Sequence, residues 1–124
     1  MRHAFVIAVT LILLTSNFAS ARGQAAFPCY WVHGRLMAYN GTPTFRLWPS
    51  GSKRLLGIVC EKRGCGEPEE VLPSSLHKYG PTFGRSMWGD FRVCPLEPER
   101  KGWMRMVKMT DARNIAVVDY TGVS

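Results

Sequence analysis

Residues 29–48 read CYWVHGRLMAYNGTPTFRLW, and their alternation decides the fold class. From Cys29 to Tyr39, one set of alternate residues is Tyr30, Val32, Gly34, Leu36 and Ala38, small and apolar. The other is Cys29, Trp31, His33, Arg35, Met37 and Tyr39. A period of two marks a half-buried strand, so the first set is expected to face a core. Asn40-Gly41 follows, the residue pair that best tolerates the positive φ angles of a type I′ hairpin turn. Thr44 to Trp48 then resumes the alternation, with Phe45 and Leu47 inward and Arg46 outward. A two-residue turn at Asn40-Gly41 places Arg35 opposite Arg46 and Met37 near Thr44. Two arginines directly opposed repel by a few tenths of a kcal/mol or more. An anion is therefore expected between them, or a carboxylate brought from elsewhere, Asp90 and Asp119 being the candidates.

Downstream the pattern stays β. Pro49-Ser50-Gly51-Ser52 reads as a turn, and Lys53 to Cys60 as a third strand with Gly57 marking a bulge or sharp bend. Glu61 to Leu72 is charged and rich in Pro and Gly, hence a loop, and Pro73 to Tyr79 suits one or two helical turns. Ser86 to Pro95 forms a fourth strand with Phe91 and Val93 inward. Trp103 to Met109 is a fifth and Ile115 to Tyr120 a sixth, joined around Asp111–Asn114. Three strands, a short helical insertion and further strands match the order of an OB-like barrel. The expected fold is all-β: a small, closed or partly open OB-like barrel of five to six antiparallel strands.

Upstream lies a different kind of segment. Arg2 and His3 precede Ala4–Leu14, apolar except for Thr10, and Ala19-Ser20-Ala21 has the small-residue pattern of a cleavage site. The apolar run is shorter than the ~20 residues that span a bilayer as a helix. Residues 1–21 are thus expected to be a signal peptide cleaved near Ala21-Arg22, residues 22–28 a flexible leader, and residues 29–124 a single domain. The protein is expected in the periplasm or outside the cell.

Export gives meaning to the four cysteines, which in an oxidising compartment favour two disulfides. Of three possible pairings we favour Cys60 with Cys65, a short loop that Gly64 lets return, and Cys29 with Cys94, joining the first strand to a late one. Cys-x4-Cys without a second short pair is poor zinc spacing. The formal net charge of +7 attracts polyanions such as nucleic acid, anionic lipid or acidic glycan, although the positive charges are scattered along the chain.

The stretches His33-Gly34-Arg35-Leu36, Pro43–Trp48, Arg54-Leu55-Leu56-Gly57 and Gly89–Pro95 together resemble small exported bacterial proteins of one compact β domain that have no assigned activity. That resemblance implies a bacterial source and a compact β domain, and no function.

No enzyme signature emerges. Gly84-Arg85-Ser86-Met87-Trp88 lacks the closing glycine of a nucleophile elbow. His33 and His77 with Asp90, Asp111 or Asp119 make no motif of fixed spacing, and His33 reads as a surface histidine. Glu67, Glu69 and Glu70 offer too few oxygens at too wide a spacing for calcium. Neither a catalytic site, a metal nor a cofactor is expected. Met104 and Met106 share one strand face, and paired thioethers suit Cu(I). That pair looks like the periplasmic copper and silver carriers that use a Met pair, a His and a Trp in an OB barrel, but a matching His and Trp cannot be placed here. The leading expectation is a non-enzymatic exported binding or structural module with a weak anion or glycan preference. Its ligand face is expected at Trp31, Arg35, Arg46 and Trp48, where aromatic platforms alternate with positive charge. A soft-metal carrier is the alternative, and the natural partner, whether anionic glycan, lipid or another polyanion, is left open.

Overall fold

The computed structural model describes residues 27–61, 65 and 68–120. The expected signal peptide and residues 22–26 of the expected leader lie outside them. The described chain forms one sheet of five strands: β1 (Tyr30–Ala38), β2 (Phe45–Pro49), β3 (Leu56–Ile58), β4 (Arg85–Pro95) and β5 (Arg105–Asp119). Two short helical segments, α1 (Pro68–Val71) and a 3-10 turn (Ser74–Tyr79), separate β3 from β4. The strand order β1-β2-β3-β5-β4 closes into a ring because β4 pairs back onto β1. Among the described residues no helix is long and apolar enough to cross a membrane.

The interior follows from alternation. Leu36 of β1, Phe45 and Leu47 of β2, Leu56 and Ile58 of β3, Met87, Phe91 and Val93 of β4, and Val107 and Met109 of β5 are buried in one cluster. Leu72 and Leu76 from the helical segments join it. Tyr30 has the inward parity expected of it, but it stands at the end of β1 and stays 39% exposed. Both expected disulfides form, Cys29–Cys94 and Cys60–Cys65. The first continues the β1/β4 register by one pair beyond Tyr30↔Val93, which is why two outward-facing cysteines meet at the rim.

Four expectations are corrected. The β1–β2 connection is not a two-residue type I′ turn: Tyr39 N–H donates to Thr44 O at 2.7 Å, leaving a four-residue loop, Asn40–Pro43. A two-residue turn would have put Pro43 in the ladder opposite Ala38, where it has no N–H to give. Instead Pro43 is buried in the loop. The second correction concerns orientation, since β3 pairs with β5 in parallel and the sheet is not wholly antiparallel. Third, Gly57 makes no bulge. It sits between Arg46 and Met106, and a Cβ there would come within 2.6 Å of the Met106 sulfur and 2.7 Å of Pro43 Cγ, so glycine provides the space into which both side chains pack.

Fourth, the expected fifth and sixth strands are one strand, β5. Its register against β4 shifts between Trp88 and Asp90 and again between Arg92 and Val93. Each shift inserts one extra residue and reverses the in/out parity of β5. Met109 and Ala112, of opposite parity, therefore both face the core. Asn114, with φ of 58°, sits at the first shift. The expected loop at 61–72 likewise contains the helical turn α1, begun by Pro68 at a position where a missing N–H costs nothing.

Candidate functional site

The outer face of β1 carries Trp31, His33, Arg35 and Met37. Arg35 pairs with Trp48 on β2 and with Trp88 on β4, so an indole stands on either side of its guanidinium. The guanidinium carbon lies 5.6 Å from the Trp48 ring centre and 5.7 Å from that of Trp88. Strands β2 and β4 flank β1, yet the two indoles meet edge to face at 5.8 Å. They must lean over the arginine to do so, and Arg35 Nε is buried beneath them without a hydrogen-bond partner among the described residues. Trp48 is held in this pose by Nε1–H donating to Ser52 O at 2.7 Å. That ties the aromatic pair to the Pro49–Ser52 turn, closed by Ser52 N–H to Pro49 O with Gly51 at φ +78°. Tryptophan faces attract a guanidinium through their negative π density, more strongly as water is excluded.

Arg35 does not oppose Arg46. The longer loop moves every outward residue of β2 by one outward pair, so Arg46 faces Met37 and Trp48 faces Arg35. A two-residue slip preserves faces while changing partners, and both arginines stay on the outside. Arg46 folds back on the loop: its Nε–H donates to Pro43 O at 3.1 Å and its guanidinium lies 4.8 Å from the Tyr39 ring centre. Trp31 stands two outward positions from Arg35 and packs under Arg113 at 4.0 Å. The structure thus joins Arg35 and Trp48, keeps Arg46 beside them and leaves Trp31 at the far end of the same face.

The carboxylates expected between the arginines are engaged elsewhere. Asp119 pairs with Arg85 at 2.6 Å. Asp90 accepts from His33 Nδ1 and Asn114 Nδ2, each at 2.9 Å, with Arg113 at 4.0 Å. Among the described residues neither Arg35 nor Arg46 has a carboxylate within ion-pair distance. The Asn114 bond, then that of His33, holds the Asp90 carboxyl below its ordinary value of 3.8. A depressed folded-state pKa stabilises above the unfolded value and is lost as pH falls through the folded one. Asp90→Asn should therefore lower the urea midpoint at pH 7 and have a smaller effect near pH 2.5. An equal shift at both pH values would remove this linkage.

Sequence reasoning missed three members of the cluster: Trp88, Ser86 and Tyr120. Ser86, fully buried, donates to the Tyr120 hydroxyl at 3.3 Å. That bond, and then the hydrogen bonding and charge of Arg35, pull the Tyr120 phenol below its ordinary value against the opposing effect of burial. The alternation of β4 already put Trp88 and Ser86 outward, but nothing local names β1 as their neighbour.

Across β2 the same outer face continues onto β3 and β5. Arg46 pairs with Gly57, which pairs with Met106. Met104, Leu55, Arg46, Lys53, Arg54 and Trp103 line a shallow groove beside it. His77 is used structurally, its Nε2 lying 3.0 Å from Leu72 O. Among the described residues no three His, Cys, Asp or Glu side chains gather as a cation site. Comparison of the chain with protein-family models, with curated proteins and with solved structures finds no match.

Proposed function

We propose that this protein is an exported, non-enzymatic binding or structural module of OB-like architecture whose outer β1–β2 face has a weak preference for anionic ligands or glycans. One observation carries the reading: the Arg35 guanidinium is fixed between Trp48 and Trp88, with Arg46 one pair away and no carboxylate on either among the described residues. A cation desolvated by aromatic rings is pre-organised, so an anion reaching it forms a charge-assisted contact at little ordering cost. The ring order, the parallel β3/β5 pair and the helical segments before β4 support the OB-like assignment, an architecture that presents ligands on its outer strands and loops. Two disulfides are compatible with export.

The test is retention on a heparin matrix. Arg35→Ala/Arg46→Ala should elute at clearly lower salt than the native protein, and the native affinity should fall steeply with salt, as counterion release requires. Arg46→Ala alone, whose side chain is outside the indole pair, should weaken binding by roughly tenfold, with only a small drop in melting temperature from the lost Pro43 and Tyr39 contacts. A folded double variant that elutes with the native protein removes the reading.

The soft-metal reading has one sequence feature in its favour, Met104 and Met106 two residues apart. Against it, Met106 sulfur packs over Gly57, and Met104 lies among Arg46, Lys53 and Arg54, a setting that repels a cation. Anaerobic Cu(I) titration decides: stoichiometric uptake lost in Met104→Ala/Met106→Ala would establish the carrier.

A further inference from the structure

We infer that the groove between the β2–β3 turn and the 96–104 connection is a subsite for one pyranose ring of an acidic glycan. The inference rests on the anion-binding reading above and names its ligand class. The groove encloses about 240 Å³ and is lined by Tyr30, Ser52, Arg54, Leu55, Glu99 and Trp103, among others. Pockets for drug-sized ligands hold about 300–1,000 Å³, so this one suits a single ring-sized group.

Two aromatic side chains in its wall are held open to solvent, Tyr30 at 39% and Trp103 at 63% exposed. The exposure of Trp103 is built in. Its N–H donates to Arg100 O at 3.1 Å, and Gly102 between them has φ +82°, the value that the third position of a type II turn requires. Arg100 then stacks on the indole at 4.8 Å, which fixes the ring on the turn.

Beside the aromatics stand a donor and an acceptor. Arg54 Nη1 lies 3.5 Å from Glu99 Oε1, with the two side chains 42% and 67% exposed. An ion pair so exposed contributes little, so each partner can exchange the other for a ligand group. A pyranose matches this lining: it has an apolar C–H face for an indole, and hydroxyls that both accept from a guanidinium and donate to a carboxylate. The adjoining groove, about 350 Å³, shares Arg54, Leu55 and Trp103 and adds Arg46 and Lys53, which places positive charge where the carboxylate of a neighbouring sugar would lie. A polyphosphate chain, charged at every unit, would meet the Glu99 carboxylate in the first groove. A glycan can present hydroxyls there and its acid next door.

The experiment uses the full disulfide-bonded protein and two probes, galacturonic acid oligosaccharides and inorganic polyphosphate of similar total charge, with affinities read by calorimetry. Trp103→Ala should weaken oligosaccharide binding at least tenfold, Trp103→Phe should retain most of it, and neither should change polyphosphate binding. Arg46→Ala should weaken both probes. Melting temperatures confirm folding, which the exposure of Trp103 makes robust. If Trp103→Ala leaves oligosaccharide affinity unchanged, or the native protein binds polyphosphate but no oligosaccharide, the subsite is overturned while the anion-binding face stands. If the native protein binds neither probe, both readings fall.

Discussion

Gly34→Ala is expected to lower stability by about 3 kcal/mol, at the upper end of what overpacking costs. Gly34 is an inward position of β1 paired with Pro49 on one side and Gly89 on the other. A Cβ there would collide with the Trp48 carbonyl oxygen and come within 3.1 Å of Pro49 Cα. Both obstacles are backbone, so no side-chain rotation relieves them and β1 and β2 must separate. That separation would also disturb the Arg35–Trp48 contact on the opposite face of the same pair of strands. Gly51→Ala is the control: its Cβ would meet nothing within 4 Å, but φ is +78°. Its cost should be that of a left-handed alanine, about 1–2 kcal/mol. Urea midpoints at unchanged m-value measure both. A Gly34→Ala variant no less stable than Gly51→Ala would show that the strand approach at Gly34 is not limiting.

Removing the Cys29–Cys94 bridge as Cys29→Ser/Cys94→Ser should cost about 4 kcal/mol, whereas Cys60→Ser/Cys65→Ser should cost about 2. The difference comes from the chain each bridge closes, since the sequence separations are 65 and 5 residues. A longer loop removes more conformations from the unfolded ensemble. Structure adds to the asymmetry, because Cys29–Cys94 clamps β1 to β4 at the rim where the ring closes, and the short bridge staples only the connection after β3. A domain of this size has total stability of only about 5–15 kcal/mol, so loss of the long bridge should also lower the melting temperature by many degrees. Equal losses from the two double variants would contradict the entropic account and point to native-state contacts as the source of both.

The alternation in residues 29–48 was enough to put Leu36, Phe45 and Leu47 inside and Arg35, Arg46 and Trp48 outside. That assignment survived an error in the turn because the two-residue slip caused by Pro43 preserves parity. Parity is a local property of an extended chain, carried by each residue's own neighbours. For the same reason β5 was misread as two strands. Its two irregularities against β4 reverse parity at 109–112 and again near Asn114, and a period of two cannot continue through an inserted residue.

What the sequence by itself determined is the β class, the face each outer residue takes and the turn at Pro49–Ser52. These depend on alternation and on glycine where φ must be positive. The sequence left three cysteine pairings open, and the tertiary structure chose the favoured one. Only the tertiary structure decided the neighbours. Trp88 lies far from Arg35 in sequence yet beside it across β1/β4, and Asp90 went to His33 and Asn114 instead of the arginines. Strand partners are chosen by the closure of the whole ring, which pairs β3 with β5 in parallel and β4 with β1 at long range. No residue's local preference contains that choice, because its free energy is shared among side chains that meet only when the sheet has closed.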